Sequence, residues 1–215
     1  MGRYKTVLFD FDGTVFDTVE GITKSIQYAL GKHGISAELC DLRCFAGPPL
    51  VDKFIEVYGV DKAFAEQLVI DFRERYVPTG VYESRPFPGI ESLLKDLKDL
   101  GLTLCIATSK PQQMAELLLE KAGLTGYFDV IAGSLPGINN QKKFEIVERS
   151  IELSKADKAT TVLIGDTKYD AEGAKLCDIP CIGVSWGYAE KGELEAAGAI
   201  EIAADMEDLK EILQR

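Results

Sequence analysis

Six short apolar runs, each rich in β-branched and aliphatic residues, constrain the fold of this chain more than any other feature of its sequence. Nearly continuous runs of this kind are typical of parallel strands that are buried on both faces. Segments with helical periodicity, such as residues 90–100, 111–122 and 143–153, separate most of the runs. This alternation predicts an α/β fold with a Rossmann-like, doubly wound parallel sheet and right-handed crossovers. The predicted strands cover residues 6–11, 103–108, 130–132, 161–164, 181–184 and 200–202.

One long stretch after the first predicted strand departs from this alternation. Between residues 17 and 85 the sequence shows helical periodicity alone. A connection between a strand and the next element usually has only a few residues, so this stretch is too long to be a simple loop. We predict a small all-helical cap domain at residues 17–85, inserted into a Rossmann-like core formed by residues 1–16 and 86–215. The predicted cap helices cover residues 22–30, 51–58 and 64–76.

Charge and composition argue against several classes of protein. The 215 residues are 46% hydrophobic and carry a net charge of −11, with no cluster of five or more basic residues. Nucleic-acid binding needs a basic patch, and a membrane span needs ~20 apolar residues in a row, so we expect neither partner. The five cysteines form no C-x-x-C pair. An odd number of cysteines without a secretion signal indicates reduced thiols in a cytoplasmic protein.

Two carboxylates, Asp10 and Asp12, directly follow the apolar run Val7-Leu8-Phe9. Acids this close together repel each other, and a bound cation or a shared proton usually offsets the repulsion. Ligands of open α/β sheets bind at the carboxyl ends of the strands. Four separate segments bring polar residues to that edge, which predicts a metal and nucleophile site there. Besides the two aspartates they contribute Thr108, Ser109, Lys110, Lys142, Lys143 and the run Gly165-Asp166-Thr167-Lys168-Tyr169-Asp170.

These motifs resemble those of the haloacid dehalogenase superfamily of phosphatases, in the branch that has a small helical cap. Residues 10–14 match its D-x-D-G-T motif, and Thr108 matches the threonine or serine that ends a hydrophobic strand. The lysine that opens a helix is best matched by Lys143, with Lys142 as the alternative. Residues 165–170 match the motif G-D-x-x-x-D. The order and spacing of the four motifs cover essentially the whole chain.

The resemblance implies a reaction through an aspartyl phosphate. Asp10 would attack phosphorus, which divides one difficult displacement into two easier ones. Asp12 would protonate the leaving oxygen and then deprotonate the attacking water. Thr108 and Lys143 would hold the phosphoryl oxygens. Asp170 would orient Lys143 or a metal-bound water without itself contacting the substrate.

Further residues complete the implied site. Mg²⁺, the implied cofactor, would lie between Asp10, the backbone carbonyl of Asp12 and Asp166. Lys110 and Lys168 are interpreted as charges on the rim of the site, with contact to a substrate as the alternative for either. The residues implied to bind substrate beside Thr108 and Lys143 are Gly13, Thr14, Ser109 and, from the cap, Arg43 and Gly47.

The implied activity is hydrolysis of a small phosphorylated metabolite, and several alternatives stay open. Residues 47–50, Gly-Pro-Pro-Leu, are similar to a cap segment of phosphoglycolate-phosphatase-like and nucleotidase-like members. Phosphoglycolate, a nucleoside monophosphate, a sugar phosphate and pyrophosphate are all candidate substrates. A phosphomutase would use the same four motifs, and a non-catalytic phosphate-sensing or partner-binding protein would gather similar residues. A dehalogenase is disfavoured, because those relatives lack the aspartate that Asp12 supplies. The chain is expected to be a monomer or a homodimer.

Overall fold

The computed structural model describes residues 2–136 and 141–215, and the chain divides into two compact units. One combines Met1–Phe16 with Pro86–Arg215, and we call it the sheet unit. The other is Asp17–Arg85, and we call it the helical unit. Within the described ranges, every helix falls short of the length and apolar composition that a membrane crossing requires.

Eight strands and nine α-helices follow one another along the described residues. The strands are β1 Thr6–Phe9, β2 Phe16–Asp17, β3 Arg85–Pro86, β4 Thr103–Pro111, β5 Val130–Ser134, β6 Thr161–Gly165, β7 Cys181–Val184 and β8 Glu201–Ala203. The helices are α1 Val19–Lys32, α2 Leu50–Tyr58, α3 Lys62–Tyr76, α4 Ile90–Asp99, α5 Gln112–Lys121, α6 Lys143–Ser154, α7 Lys168–Leu176, α8 Glu193–Ala197 and α9 Met206–Gln214. Short 3-10 helices lie at Leu39–Phe45, Gly80–Tyr82, Thr125–Tyr127 and Lys158–Thr160.

Six of the strands form one parallel sheet in the order β5-β4-β1-β6-β7-β8. The order of connection reverses at β1, which has β4 on one side and β6 on the other, as in Rossmann-like sheets. Phe9 of β1 lies in register with Ile106 of β4 and with Ile164 of β6. The residues that follow these three positions along the chain therefore reach the same edge of the sheet. The prediction of a doubly wound parallel sheet is confirmed.

Both faces of the sheet are covered, as the apolar strand sequences require. Leu8 of β1 belongs to a buried cluster with Ile146 of α6 and Ala174 of α7. Val7 and Phe9 alternate with Leu8 along the strand and are equally buried, so helices or loops cover the opposite face as well. Burial of an aliphatic or phenyl side chain stabilises a fold by roughly 1.5–3 kcal/mol. The packed sheet thus gives rigid support to the strand ends that carry the polar residues.

The strands differ from the predictions mainly at their ends. β4 continues to Pro111, beyond the predicted end at Thr108, and its register with β5 shifts between Ala107 and Pro111. Apolar residues stop at Ala107, whereas the backbone stays extended, so hydrophobicity alone placed the end too early. The strands β2 and β3 were not predicted, because two residues each are too few to form a pattern.

The helical unit is built from α1, α2 and α3, with α1 and α2 both contacting α3. Its apolar residues form a core of their own, in which the rings of Phe45 and Phe54 lie 4.9 Å apart. The helix α3 begins after Asp61, whose carboxylate accepts the backbone N–H of Phe64 at 2.9 Å. The fully buried side chains of this unit include Ile26, Leu30, Phe54 and Leu68.

A buried carboxylate, Asp71 of α3, joins this helix to the end of α1. It accepts hydrogen bonds from Lys32, from His33 at 2.7 Å and from Gln67 at 3.4 Å. Lys32 also contacts Glu74 of α3 at 2.7 Å. Burial raises the pKa of Asp71, but the hydrogen bonds outweigh burial and hold the pKa below its usual value.

We expect Asp71 to make the stability of the protein dependent on pH. A carboxyl group whose pKa is lower in the folded state contributes stability above its unfolded pKa of about 4. That contribution is lost as the pH falls through the folded-state pKa. Thermal unfolding should show Asp71→Asn to be less stable than the wild type at neutral pH, with a difference that shrinks in acid. A difference that persists in acid would contradict this role for the carboxylate.

Candidate active site

The carboxyl edge of the sheet carries a buried cluster of three aspartates. Asp10 follows β1, whereas Asp166 and Asp170 come from the segment after β6. One carboxylate oxygen from each residue lies within 4.8 Å of the other two. All three residues are buried, and Asp166 is fully shielded from solvent. Hard divalent cations prefer carboxylate oxygens, so this donor set fits such an ion.

Lys143, the first residue of α6, supplies a positive charge to this cluster. Its Nζ lies 2.5 Å from Oδ1 of Asp10 and 2.7 Å from Oδ1 of Asp170. Burial works against the charged ammonium, but the two carboxylates outweigh burial and hold the pKa of Lys143 above its usual value. Lys142 is exposed, and its backbone N–H donates to Glu145 at 2.7 Å. Of the two candidate lysines, the structure brings Lys143 to the aspartates.

The charge of Lys143 does not balance three carboxylates. Burial raises the pKa of Asp10 to about 6, an effect that Lys143 opposes and the charge of Asp170 strengthens. Burial, and then the charges of Asp170 and Asp10, raise the pKa of Asp166 well above its usual value. After burial, the charges of neighbouring carboxylates contribute to both pKa shifts, since a single ammonium leaves a shortage of positive charge within the cluster. A divalent cation would correct that shortage, so the electrostatics agree with the donor set.

Asp166 is held by contacts on both of its carboxylate oxygens. Oδ1 accepts the hydroxyl of Thr14 at 3.2 Å, and Oδ2 accepts the backbone N–H of Tyr188 at 2.9 Å. Gly13 and Gly187 both lie against this side chain. A Cβ at Gly13 would come 2.0 Å from Oδ2, and a Cβ at Gly187 would come 2.2 Å from the Cβ of Asp166. Gly13 also has a φ of 87°, in the left-handed region that favours glycine.

Asp170 has one partner on each carboxylate oxygen. Oδ1 contacts Lys143, and Oδ2 accepts the backbone N–H and the hydroxyl of Thr167 at 3.0 and 2.9 Å. The bonds to Thr167 cap the start of α7 and fix the rotamer of the aspartate. A side chain fixed in this way can in turn hold the ammonium of Lys143 in one place.

The interpretation of Lys110 as a rim charge is wrong. Its side chain is only 3% exposed, and its Nζ lies 2.9 Å from Oδ1 of Asp12. Residues two apart in a strand share a face, so the continuation of β4 buries both Thr108 and Lys110. The Oγ1 of Thr108 accepts the backbone N–H of Lys110 at 3.2 Å. The two-residue spacing from Thr108 indicates the burial of Lys110 only once the extension of β4 is known. Lys168 is exposed, as expected of a rim charge.

The other residues predicted to bind substrate lie in different surroundings. Ser109 is exposed between two buried neighbours in β4. The hydroxyl of Thr14 is occupied by Asp166. Arg43 and Gly47 belong to the helical unit, where Arg43 is exposed and Gly47 has a φ of 103°. Their roles in substrate binding stay predictions.

The loop after β7 contributes contacts that the sequence did not predict. Nε1 of Trp186 donates to the backbone carbonyl of Thr14 at 3.1 Å, and the N–H of Tyr188 donates to Asp166. These partners lie 172 and 22 positions apart in the chain, so no local pattern reveals them. The one indication in the sequence is that the loop leaves a strand at the edge where ligands bind.

Comparisons with known proteins agree with the fold and identify a family. The family described as haloacid dehalogenase-like hydrolase matches residues 7–184. A 5'-nucleotidase of Pseudomonas aeruginosa is 38% identical over 99% of this chain and 96% of that protein. The crystal structure of a predicted phosphatase from Clostridium acetobutylicum matches with a TM-score of 0.92 and 38% identity, over 97% of each chain. The tyrosine-protein kinase PtkA of Mycobacterium tuberculosis is 30% identical over 96% of this chain and 72% of that protein.

The chain therefore belongs to the haloacid dehalogenase-like hydrolase family and is an enzyme of its phosphatase group. The resemblance inferred from the four motifs is confirmed, because the family match spans all of them. The likeness to a nucleotidase extends over nearly the whole length of both proteins.

Proposed function

We propose that this enzyme is a Mg²⁺-dependent phosphatase that hydrolyses a small soluble phosphomonoester through an aspartyl phosphate on Asp10. One observation carries the proposal: the buried carboxylate of Asp10 lies 2.5 Å from the ammonium of Lys143 and beside Asp166 and Asp170. A carboxylate repels an anionic phosphate unless positive charge stands next to it. Lys143 supplies part of that charge, and the cluster of carboxylates is suited to bind the cation that supplies the rest.

In the first step, a carboxylate oxygen of Asp10 attacks phosphorus, and the bond between phosphorus and the leaving oxygen breaks. Asp12 donates a proton to that oxygen, which contributes roughly 10²–10⁴-fold to the rate. Thr108 and Lys143 hold the phosphoryl oxygens through a hydroxyl and an ammonium group. In the second step, water attacks phosphorus and gives a proton to Asp12. The bond from phosphorus to Asp10 breaks, which frees phosphate and restores the carboxylate.

Asp10 and Asp166 would hold the cation together with the backbone carbonyl of Asp12. Asp170 stands close enough to join them, because its carboxylate belongs to the same cluster. Bound Mg²⁺ would neutralise charge on the phosphoryl group and so lower the barrier to attack by an anion.

Removal of the cation is the experiment that tests this proposal first. We expect dialysis against EDTA to lower phosphate release by at least about 100-fold, since the carboxylate cluster would then repel the substrate. Added Mg²⁺ should restore the activity, and EDTA saturated beforehand with Mg²⁺ should leave it unchanged. Full activity after EDTA treatment, in a protein shown to be metal-free by elemental analysis, would end the metal proposal.

Lys110 is expected to hold Asp12 in the position from which it transfers protons. Lys110→Met should lower kcat on the order of 10²-fold, because a small displacement of an acid–base group has effects of that size. Lys168→Met is the matched control, since Lys168 is exposed and also lies at the carboxyl edge of the sheet. Steady-state kinetics of both variants provide the measurement. Equal activity of the two variants would remove Lys110 from the proposed machinery.

We propose that residues 17–85 form the cap domain and that Arg43 and Gly47 contact the leaving group. Nucleoside 5'-monophosphates come first among the candidate substrates, because the 38% identical relative is named as a 5'-nucleotidase. Phosphoglycolate, sugar phosphates and pyrophosphate complete the panel to be tested. If the enzyme prefers one of these substrates and Arg43→Ala abolishes that preference, the result would support the assignment of residues 17–85 as the cap domain.

Transfer of the phosphoryl group to an acceptor other than water is a second candidate function. It is favoured by the likeness to PtkA, a protein named as a tyrosine kinase. The two functions differ in stoichiometry. Hydrolysis releases one phosphate for each leaving alcohol, whereas transfer releases alcohol in excess over phosphate when an acceptor is present.

A further inference from the structure

The loop that follows β7 closes a ring of hydrogen bonds around the base of the candidate site. Trp186 donates from Nε1 to the carbonyl of Thr14, and the hydroxyl of Thr14 donates to Oδ1 of Asp166. The backbone N–H of Tyr188 donates to Oδ2 of the same aspartate. The ring thus links the segment that carries Asp10 to the segment that carries Asp166 through residues 186–188, which we call the β7 loop.

Gly187 lies at the centre of the β7 loop, where Asp166 leaves no room for a side chain. Its φ lies outside the left-handed region, so the backbone itself would accept a side chain. A Cβ at this position would nevertheless lie 2.2 Å from the Cβ and 2.5 Å from Oδ2 of Asp166. Non-bonded atoms do not approach each other this closely, so either the loop or the aspartate would have to move. The backbone of Gly187 therefore packs directly against Asp166.

The orientation of Asp166 matters because a carboxylate binds a metal ion only through lone pairs that face it. Two hydrogen bonds and the contact with Gly187 leave this buried side chain little freedom to turn. Groups that orient metal ligands in this way contribute strongly to affinity, and their loss typically weakens metal binding about 10- to 100-fold.

We propose that Trp186, Gly187 and Tyr188 are positioning residues that hold Asp166 and the Asp10–Thr14 segment in the arrangement that binds the divalent cation. The inference rests on the proposed function, because it assumes that Asp166 is a metal ligand. The β7 loop acts through Asp166 and Thr14, so its effect should fall on metal affinity rather than on the chemical steps.

The test compares Gly187→Ala with Gly126→Ala by calorimetric titration with MgCl₂. Gly126 is a matched control, because a Cβ at that position would meet open space. Gly187→Ala should bind Mg²⁺ about 10- to 100-fold more weakly than the wild type, and Gly126→Ala should bind it equally well. At saturating Mg²⁺, kcat of Gly187→Ala should return to within about threefold of the wild type, a recovery that general damage to the fold would not allow.

If circular dichroism shows that Gly187→Ala does not fold, Trp186→Phe provides a second test of the inference. This variant retains an aromatic ring and removes the indole N–H that reaches Thr14. Loss of one hydrogen bond should weaken Mg²⁺ binding roughly fivefold. Variants that bind Mg²⁺ as tightly as the wild type, or lose kcat at saturating Mg²⁺ with unchanged affinity, would overturn the inference and leave the proposed function intact. A wild-type protein that binds no Mg²⁺ would overturn both.

Discussion

Asp10→Asn is expected to lower phosphate release by at least about 10⁴-fold, a loss of the size that follows removal of a catalytic nucleophile in other enzymes. We expect the fold to stay intact. The amide of asparagine has the shape of the carboxylate but not its charge or nucleophilicity. The surroundings should tolerate the change, because Lys143 keeps its contact with Asp170 at 2.7 Å. Removal of one of three crowded carboxylates also removes a charge that, after burial and the charge of Asp170, raises the pKa of Asp166. The loss of activity should therefore occur without a loss of stability.

Asp99→Asn provides the matched control for this variant. Asp99 is exposed at the end of α4 in the same unit of the chain, so the same chemical change there should leave activity unaltered. Phosphate release and thermal unfolding of both variants should be measured side by side with saturating Mg²⁺. Activity of Asp10→Asn within tenfold of the wild type would remove Asp10 as the nucleophile.

Lys143→Met should lower kcat/KM on the order of 10³-fold, the loss that follows removal of a group aimed at developing charge. Methionine retains the apolar stem of the lysine, so the packing of α6 is largely preserved. The variant loses the ammonium that contacts both Asp10 and Asp170. It also loses the contact that we propose between this ammonium and the phosphoryl oxygens. We also expect weaker substrate binding, because an anionic phosphate would then meet carboxylates that lack this cation.

Lys142→Met is the control that separates the two adjacent lysines. Lys142 is exposed at the start of α6, and its side chain can change without disturbing the aspartates. Its activity should stay within twofold of the wild type, a change of less than about 0.5 kcal/mol. If Lys142→Met lost most of its activity while Lys143→Met kept the activity of the wild type, the assignment of the phosphate-binding lysine would be reversed.

The sequence predicted the sheet well because parallel strands that are buried on both faces require continuous apolar runs. It also predicted which segments meet, since parallel strands bring their carboxyl ends to one edge. Asp10 and Asp166 lie 156 positions apart and still form one cluster, since β1 and β6 are neighbours in the sheet.

Other features could not be predicted because they depend on packing between distant segments. Lys142 precedes α6 with an extended backbone and Lys143 is the first residue of the helix, so the exact start and placement of α6 decide which lysine reaches the aspartates. The burial of Lys110 follows from the extension of β4, which carries no apolar signal. The contacts of Trp186 and Tyr188 arise from a loop whose path no local pattern determines.

Covalent capture of the intermediate tests the central proposal most directly. The enzyme should be quenched in acid during turnover of its best phosphomonoester, digested, and mapped by mass spectrometry. We predict a phosphate adduct on the peptide that contains Asp10, formed in the wild type and missing in Asp10→Asn. An adduct on a different residue, or rapid phosphate release with Asp10 unmodified at every quench time, would contradict the proposed mechanism.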